Sequence, residues 1–387
     1  MDNQTTPHRR LAVFLDGTWN TDDDNTNVFR LKSLCAETPS QKRYYSKGVG
    51  TKFGQKFLGG AFGYGLDDEV IRAYQWLMEN FQLNDRLYVF GFSRGAFTAR
   101  SLCGFISKCG LLKAGSPISL RQIYARYRLG SLARTIRELD KARYSDMSLE
   151  ERWIKSYSLE VPIFFQGVWD TVGALGVSWG NLPHVSRSQF SFLETDLRIN
   201  YSRAYHALAI DEHRFEFAPT LWQRTTLDNA DNYPPRPLED VEQRWFVGAH
   251  GDIGGGYPDG LLSQAAARWI LGKAKQHELV FNQDVEVDEM EATAAIHDSY
   301  AEMGWGLYRI NRFGVRFYRM IGAEPVTQGP ATTATINETI DASVFERYRN
   351  DSSYRPKNLA EWAKRRSIDP ANVKESVLAS NSTVVPT

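Results

Sequence analysis

Leu87-Tyr88-Val89-Phe90-Gly91-Phe92-Ser93-Arg94-Gly95-Ala96 is the stretch on which the reading of this chain turns. Residues 87–90 are an apolar run of strand length, they lead directly into Gly91-x-Ser93-x-Gly95, and residues 96–108 then read as a helix. A serine flanked by glycines at a strand-to-helix junction is the nucleophile-elbow pattern. The serine must take a strained backbone conformation for its hydroxyl to stand clear of the sheet. A side chain at either glycine would then run into neighbouring backbone. The following helix aims its first N–H groups at any negative charge that develops beside the serine. Ser93 is therefore the candidate nucleophile, and the Arg94 amide the first candidate donor of an oxyanion hole.

Working outward, residues 11–15 form a second apolar run that ends in Asp16-Gly17-Thr18. Residues 67–81 carry Val70, Ile71, Tyr74, Leu77, Met78 and Phe81 at helical spacing. A strand is predicted at 161–168, ending in Trp169-Asp170-Thr171, then a helix at 201–210. A late strand at 244–247 leads into Gly248-Ala249-His250, and 261–275 is helical again. This alternation predicts an α/β protein with the α/β-hydrolase fold, a mostly parallel sheet flanked by helices. We expect a single domain over 1–387. Leu120, Ile123, Tyr124 and Tyr127 suggest a helical cap inserted at 113–158, and a C-terminal helical extension is expected over 285–387.

A serine hydroxyl at its ordinary pKa is a poor nucleophile and needs a base and an orienting acid. In this fold they follow in the order Ser, Asp, His, at the ends of later strands. Asp170 and His250 satisfy that order and stand where a parallel sheet delivers side chains to its carboxyl edge. Asp211 and Asp252 are the nearest rivals to Asp170. The other histidines, at positions 8, 184, 206, 213, 277 and 297, are assigned structural or solvated roles. The second oxyanion donor is sought at Gly17 or Thr18, with Asp16 as an acceptor that stabilises the loop.

Four stretches carry a family likeness. They are Phe14-Leu15-Asp16-Gly17-Thr18 with Thr26-Asn27-Val28; Gly91-Phe92-Ser93-Arg94-Gly95-Ala96 with Ala99-Arg100; Gly167-Val168-Trp169-Asp170-Thr171-Val172; and Val247-Gly248-Ala249-His250 through Asp252-Ile253-Gly254-Gly255-Gly256-Tyr257. In these residues the chain resembles a family of bacterial and fungal α/β-hydrolase domains that includes phospholipase effectors of type VI secretion. The resemblance implies Ser93 as nucleophile, Asp170 as acid, His250 as base, and esterase or phospholipase activity. The expected substrate is a small-molecule or lipid ester, with peripheral membrane contact through the cap or the aromatic-rich stretch 305–320. The alternative is a catalytically silent binding module on a hydrolase fold, which a fluorophosphonate probe would distinguish.

Composition sets the outer limits. With 387 residues, 42% hydrophobic and 24% charged, the chain has the make-up of a globular protein able to bury a large core. Lys and Arg number 46, as do Asp and Glu, a balance that argues against nucleic acid as partner. Cys35, Cys103 and Cys109 lack metal or redox spacing and read as buried free thiols in a reducing compartment. No cofactor is implied. No metal is implied either, since Asp22-Asp23-Asp24-Asn25 offers oxygens without the spacing of a calcium loop. No apolar run reaches the ~18 residues of a membrane span. The start, Met1 to Arg10, has no signal-peptide core, so the expected location is cytoplasmic, or outside the cell by a route that needs no signal peptide.

Overall fold

A computed structural model describes residues 8–17, 25–48, 66–173, 201–227, 236–302, 307–311 and 313–379. The first half runs β1 (Arg10–Leu15), α1 (Asn27–Leu34), β2 (Gln41–Ser46), α2 (Leu66–Asn80), β3 (Arg86–Phe92), α3 (Arg94–Cys109) and β4 (Leu111–Leu112). Then come α4 (Leu120–Arg128), α5 (Ile136–Lys141), α6 (Leu149–Tyr157), β5 (Ser158–Leu159), β6 (Ile163–Trp169), β7 (Tyr201–Ala209), β8 (Gln223–Leu227) and β9 (Val241–Phe246). The chain continues through α7 (His250–Gly254), α8 (Ser263–Gln276), α9 (Ser299–Glu302), α10 (Leu307–Asn311), β10 (Val326–Gln328) and β11 (Ala331–Thr335). It closes with β12 (Glu338–Ile340), α11 (Ala342–Asn350), α12 (Lys357–Arg366) and β13 (Val377–Leu378).

Eight strands form the central sheet in the order β13-β12-β9-β7-β6-β3-β1-β2. All neighbours run parallel except β12 and β13. After their first arginine, β1 and β3 read as near-continuous apolar runs because both faces of the sheet are covered there. Leu11, Val13, Leu15, Leu87 and Val89 pack with α2 and α3 on one face, while Ala12, Phe14, Tyr88 and Phe90 pack with α1 and α8 on the other. The chain order reverses between β1 and β3, a switch point at whose carboxyl edge ligands bind in sheets of this kind.

Two expectations need correction. Residues 201–210 are not a helix: β7 fills the sheet between β6 and β9. Its alanines at 204, 207 and 209 favour a helix, but they are wholly buried, and the strand lies between two parallel partners against α7 and α8. Tertiary context thus overrides local propensity. The residues after 285 are likewise not helical throughout. β12 joins β9 in the main sheet, and β10 and β11 form a small antiparallel sheet with β8. The run Ala331-Thr-Thr-Ala-Thr335 does carry a strand signal, because β-branched threonines are stiff about χ1.

Helices α4, α5 and α6 lie between β4 and β5, which pair with each other. Each opens with a reciprocal capping box, Ser119 with Gln122, Thr135 with Glu138, and Ser148 with Glu151. Tyr127 of α4 packs its hydroxyl 2.9 Å from where a Cβ on Gly104 would sit. That contact lies roughly 16 Å further along α3 than Ser93. Of the helices predicted as a cap, α4 and α5 pack against α3, and α4 does so in its distal half.

Candidate active site

Ser93 sits between β3 and α3 with φ 58° and ψ −121°, and its amide donates to the Trp169 carbonyl at 3.0 Å. For a residue with a side chain this is strained, at a cost of about 1–3 kcal/mol that the surroundings must hold in place. The glycines make it achievable. A Cβ on Gly91 would lie 2.5 Å from the Gly95 carbonyl oxygen, and one on Gly95 would overlap the carbonyls of Leu15 and Asp16. Neither obstacle is a movable side chain. Gly95→Ala is accordingly expected to destabilise the protein by about 3 kcal/mol or more, at or above the top of the overpacking range, in a urea titration. A wild-type midpoint would contradict this.

Asp170 follows β6 and His250 opens α7. His250 Nδ1 is 2.5 Å from Asp170 Oδ2, and His250 Nε2 is 2.8 Å from Ser93 Oγ. Asp170 is an ionised acceptor, so Nδ1 carries the proton and Nε2 presents its lone pair to the serine hydroxyl. The imidazole lies against Phe92 (ring centroids 4.7 Å) and Phe217 (5.0 Å). This apolar burial pushes its pKa below 6.5, against the opposing bond and charge of Asp170, and Arg214 adds to the lowering. For Asp170, burial alone would raise the pKa. The Arg319 charge, with hydrogen bonds from His250 and Arg319, outweighs burial and keeps the carboxyl well below its usual range.

The surrounding charges come in pairs. Arg319 holds Asp170, both wholly buried. Arg214 bonds Glu212 at 2.7 Å, and Glu212 Oε2 accepts from the His250 amide at 3.2 Å and from Ser299 Oγ at 2.9 Å. Glu212 and Arg319 escape the sequence reading. Arg319 lies in a stretch where arginine recurs at 309, 312, 316 and 319, and neither its type nor its spacing sets it apart. The rivals to Asp170 serve the loop that carries His250. Asp211 accepts from the Gly248 amide (2.8 Å) and the Tyr354 hydroxyl (3.1 Å), and Asp252 accepts from the Ala249 amide (2.9 Å). His206 is buried and accepts from the Thr171 amide at 3.0 Å, and burial pushes its pKa down to about 3, so it stays neutral.

At the opposite wall, Asp16 Oδ1 accepts from the Gly17 amide (2.8 Å), and its Oδ2 accepts from Thr26 Oγ1 (2.5 Å) and the Tyr45 hydroxyl (3.2 Å). Asp16 is thus an acceptor that ties the loop down, and the Gly17 amide is already engaged. Thr18, Asp22, Asp23 and Asp24 lie outside the described residues. Asn27 donates from Nδ2 to the carbonyls of Ile253 and Ser263, both at 2.9 Å, fastening α1 to the α7 loop. Among the described residues no group of three or more His, Cys, Asp or Glu is arranged to hold a metal ion, and no helix is long and apolar enough to cross a membrane. The three cysteines are buried and none is in a disulfide.

A family model described as "T6SS, Phospholipase effector Tle1-like, catalytic domain" matches residues 9–273, more than half of the chain. The chain belongs to this family. Within the Tle1-like match fall Ser93, Asp170 and His250; Arg319 lies beyond it. An uncharacterized protein of Saccharomyces cerevisiae is 31% identical over 215 residues, covering 50% of this chain and 29% of the yeast protein. The crystal structure of an uncharacterized protein from Pseudomonas aeruginosa is similar over 77% of this chain and 50% of that one, with 19% identity and a TM-score of 0.43. A Tle1 effector bound to the VgrG spike of the type 6 secretion system is similar over 65% of this chain and 52% of that one, with 17% identity and a TM-score of 0.33. This Tle1-like chain therefore spans less than a third of the yeast relative and about half of each of the two structures.

Proposed function

We propose that this chain is an α/β-hydrolase-fold serine esterase of the phospholipase type, acting through an acyl-enzyme on Ser93. The observation that carries the reading is the unbroken hydrogen-bonded line Ser93 Oγ to His250 Nε2 (2.8 Å) and His250 Nδ1 to Asp170 Oδ2 (2.5 Å). His250 Nε2 takes the hydroxyl proton as Ser93 Oγ attacks the ester carbonyl. Asp170 holds the imidazolium in register. The tetrahedral oxyanion is met by the Arg94 amide at the start of α3, with a second donor sought at the Gly17 or Thr18 amide; in the structure the Gly17 amide donates to Asp16 Oδ1. His250 then returns its proton to the leaving alcohol, and water, activated by the same imidazole, releases the acid.

A lipid ester is favoured over a freely soluble one by the surface leading to Arg319. Phe313 is 94% exposed, Val315 71% and Met320 63%, and the backbone is left-handed at Phe313 (φ 51°) and Gly314 (φ 74°). Exposed apolar groups concentrated at a turn suit entry into an acyl surface. Phe313→Asp is expected to lower turnover of phospholipid vesicles several-fold while leaving p-nitrophenyl acetate hydrolysis unchanged. An equal effect on both substrates would remove the lipid argument.

Fluorophosphonate labelling of the full chain tests the reaction class. Rapid labelling lost in Ser93→Ala supports it. No labelling of the wild type, beside a reactive control esterase, supports the silent binding module instead. Because the pKa of His250 is lowered from 6.5, its neutral form persists into mild acid. The acid limb of kcat/KM is therefore expected to have its midpoint below that value. A midpoint above 7 in a buffer series would show that burial does not govern this histidine.

A further inference from the structure

Arg319 reaches the site from the segment beyond the family match and is wholly buried. Its Nη1 donates to Asp170 Oδ1 (2.6 Å) and to the Ala209 carbonyl (2.8 Å), and its Nη2 donates to Asp170 Oδ2 (2.9 Å) and to the Phe217 carbonyl (2.5 Å). The fork grips both carboxylate oxygens and is itself fixed by two backbone groups, one at the end of β7 and one on the residue whose ring lies against His250. Such planar two-point pairing sets the plane of the carboxylate, which a single ammonium cannot do.

Building on the serine-hydrolase reading, we propose that Arg319 is a positioning residue that aims Asp170 Oδ2 at His250 and keeps that carboxylate charged but neutralised. The need follows from charge and burial. Asp170 is 0% exposed, and a carboxylate there would be protonated without a partner. With only His250 and the Ala209 amide, which donates to Oδ1 at 3.1 Å, as partners, its full negative charge would act on the imidazole and hold a proton on Nε2, where the base must be free. Arg319 prevents both. Among the described residues, the other charged groups bearing on His250 are Glu212 and Arg214, which pair with each other, while Asp252, further along α7, is paired with His297. Arg319 is thus the charge that balances Asp170.

The test compares wild type with Arg319→Met, Arg319→Lys and the double variant Arg319→Met/Asp170→Asn. It reads kcat and KM on a soluble p-nitrophenyl ester and the rate of fluorophosphonate labelling across pH, with circular dichroism to verify folding. Arg319→Met is expected to move the acid limb of both rates up by about one unit or more: an ionised Asp170 left unbalanced favours the imidazolium, and an Asp170 whose own pKa rises loses its carboxylate, and with it fast turnover, at a higher pH. The double variant, with no charge at 170, should keep a low acid limb despite slow turnover. Arg319→Lys keeps the charge and should hold the limb near its wild-type position, but with the fork lost kcat should fall about tenfold or more at unchanged KM.

A folded Arg319→Met with the wild-type limb, or an Arg319→Lys with wild-type kcat, overturns the proposal and leaves Arg319 a packing residue. If Arg319→Met does not fold, the lysine variant decides. A wild-type chain that neither labels nor hydrolyses fails differently, because it removes the serine-hydrolase reading itself and this proposal with it.

Discussion

Ser93→Ala is expected to lower kcat by roughly 10⁶-fold, the scale found when a serine nucleophile is removed from a unit that works together. Binding should be little affected, because among the described residues Oγ has one hydrogen-bond partner, His250 Nε2 at 2.8 Å, and alanine removes only that hydroxyl. Stability should hold as well. Alanine keeps a Cβ at φ 58° and so inherits the same backbone strain. Glycine would not, and Ser93→Gly should gain up to about 1 kcal/mol of stability while being equally inactive. This opposition of stability and activity is what a strained nucleophile predicts. Purified variants assayed for p-nitrophenyl ester turnover and for denaturant midpoint check both halves. Near wild-type turnover by Ser93→Ala would end the assignment of the nucleophile.

Asp170→Asn is expected to lose about 10⁴-fold in kcat and, unlike Ser93→Ala, to unfold more easily by about 3–5 kcal/mol. The rate falls because an amide no longer fixes the Nδ1–H tautomer, so Nε2 stops presenting a lone pair to Ser93. Stability falls because Arg319, 0% exposed, is left as a buried charge whose partner has gone. Removing both members, Asp170→Asn with Arg319→Met, should recover most of the stability and none of the rate. If Asp170→Asn alone melts like the wild type, the ion pair is not the tightly desolvated one described. The same pair gives acid sensitivity a definite sign. Asp170 is held below its ordinary 3.8, so its contribution is complete above that pH and is lost as pH falls through the lower folded-state value.

The parts of the site legible in the chain are those where local backbone requirements leave a mark on residue type. Gly91 and Gly95 flank Ser93 because backbone carbonyls occupy the space of a Cβ, and that demand shows in any sequence. Strands predicted at 161–168 and 244–247 end just ahead of Asp170 and His250, which puts both at the carboxyl edge of the sheet. Asp16 is readable as a loop acceptor because a short acid before Gly-Thr suits bonding to neighbouring amides. β7 is misread because alanine keeps its helical preference in isolation, and only the parallel neighbours on either side impose extension.

The sequence by itself determined the strand-turn-helix at Ser93, the chain order of the proposed serine, aspartate and histidine, and the family to which these motifs belong. These follow from contacts between residues close along the chain and from steric limits that each residue carries with it. Only the tertiary structure decided that Arg319 grips Asp170, that Glu212 pairs with Arg214 while bonding the His250 amide, that Phe92 and Phe217 lie against the imidazole, and that α4 packs on the far half of α3. A charge is balanced by whatever opposite charge folding brings within a few ångströms in a desolvated place. That proximity joins residues 149 positions apart and leaves no trace in local spacing.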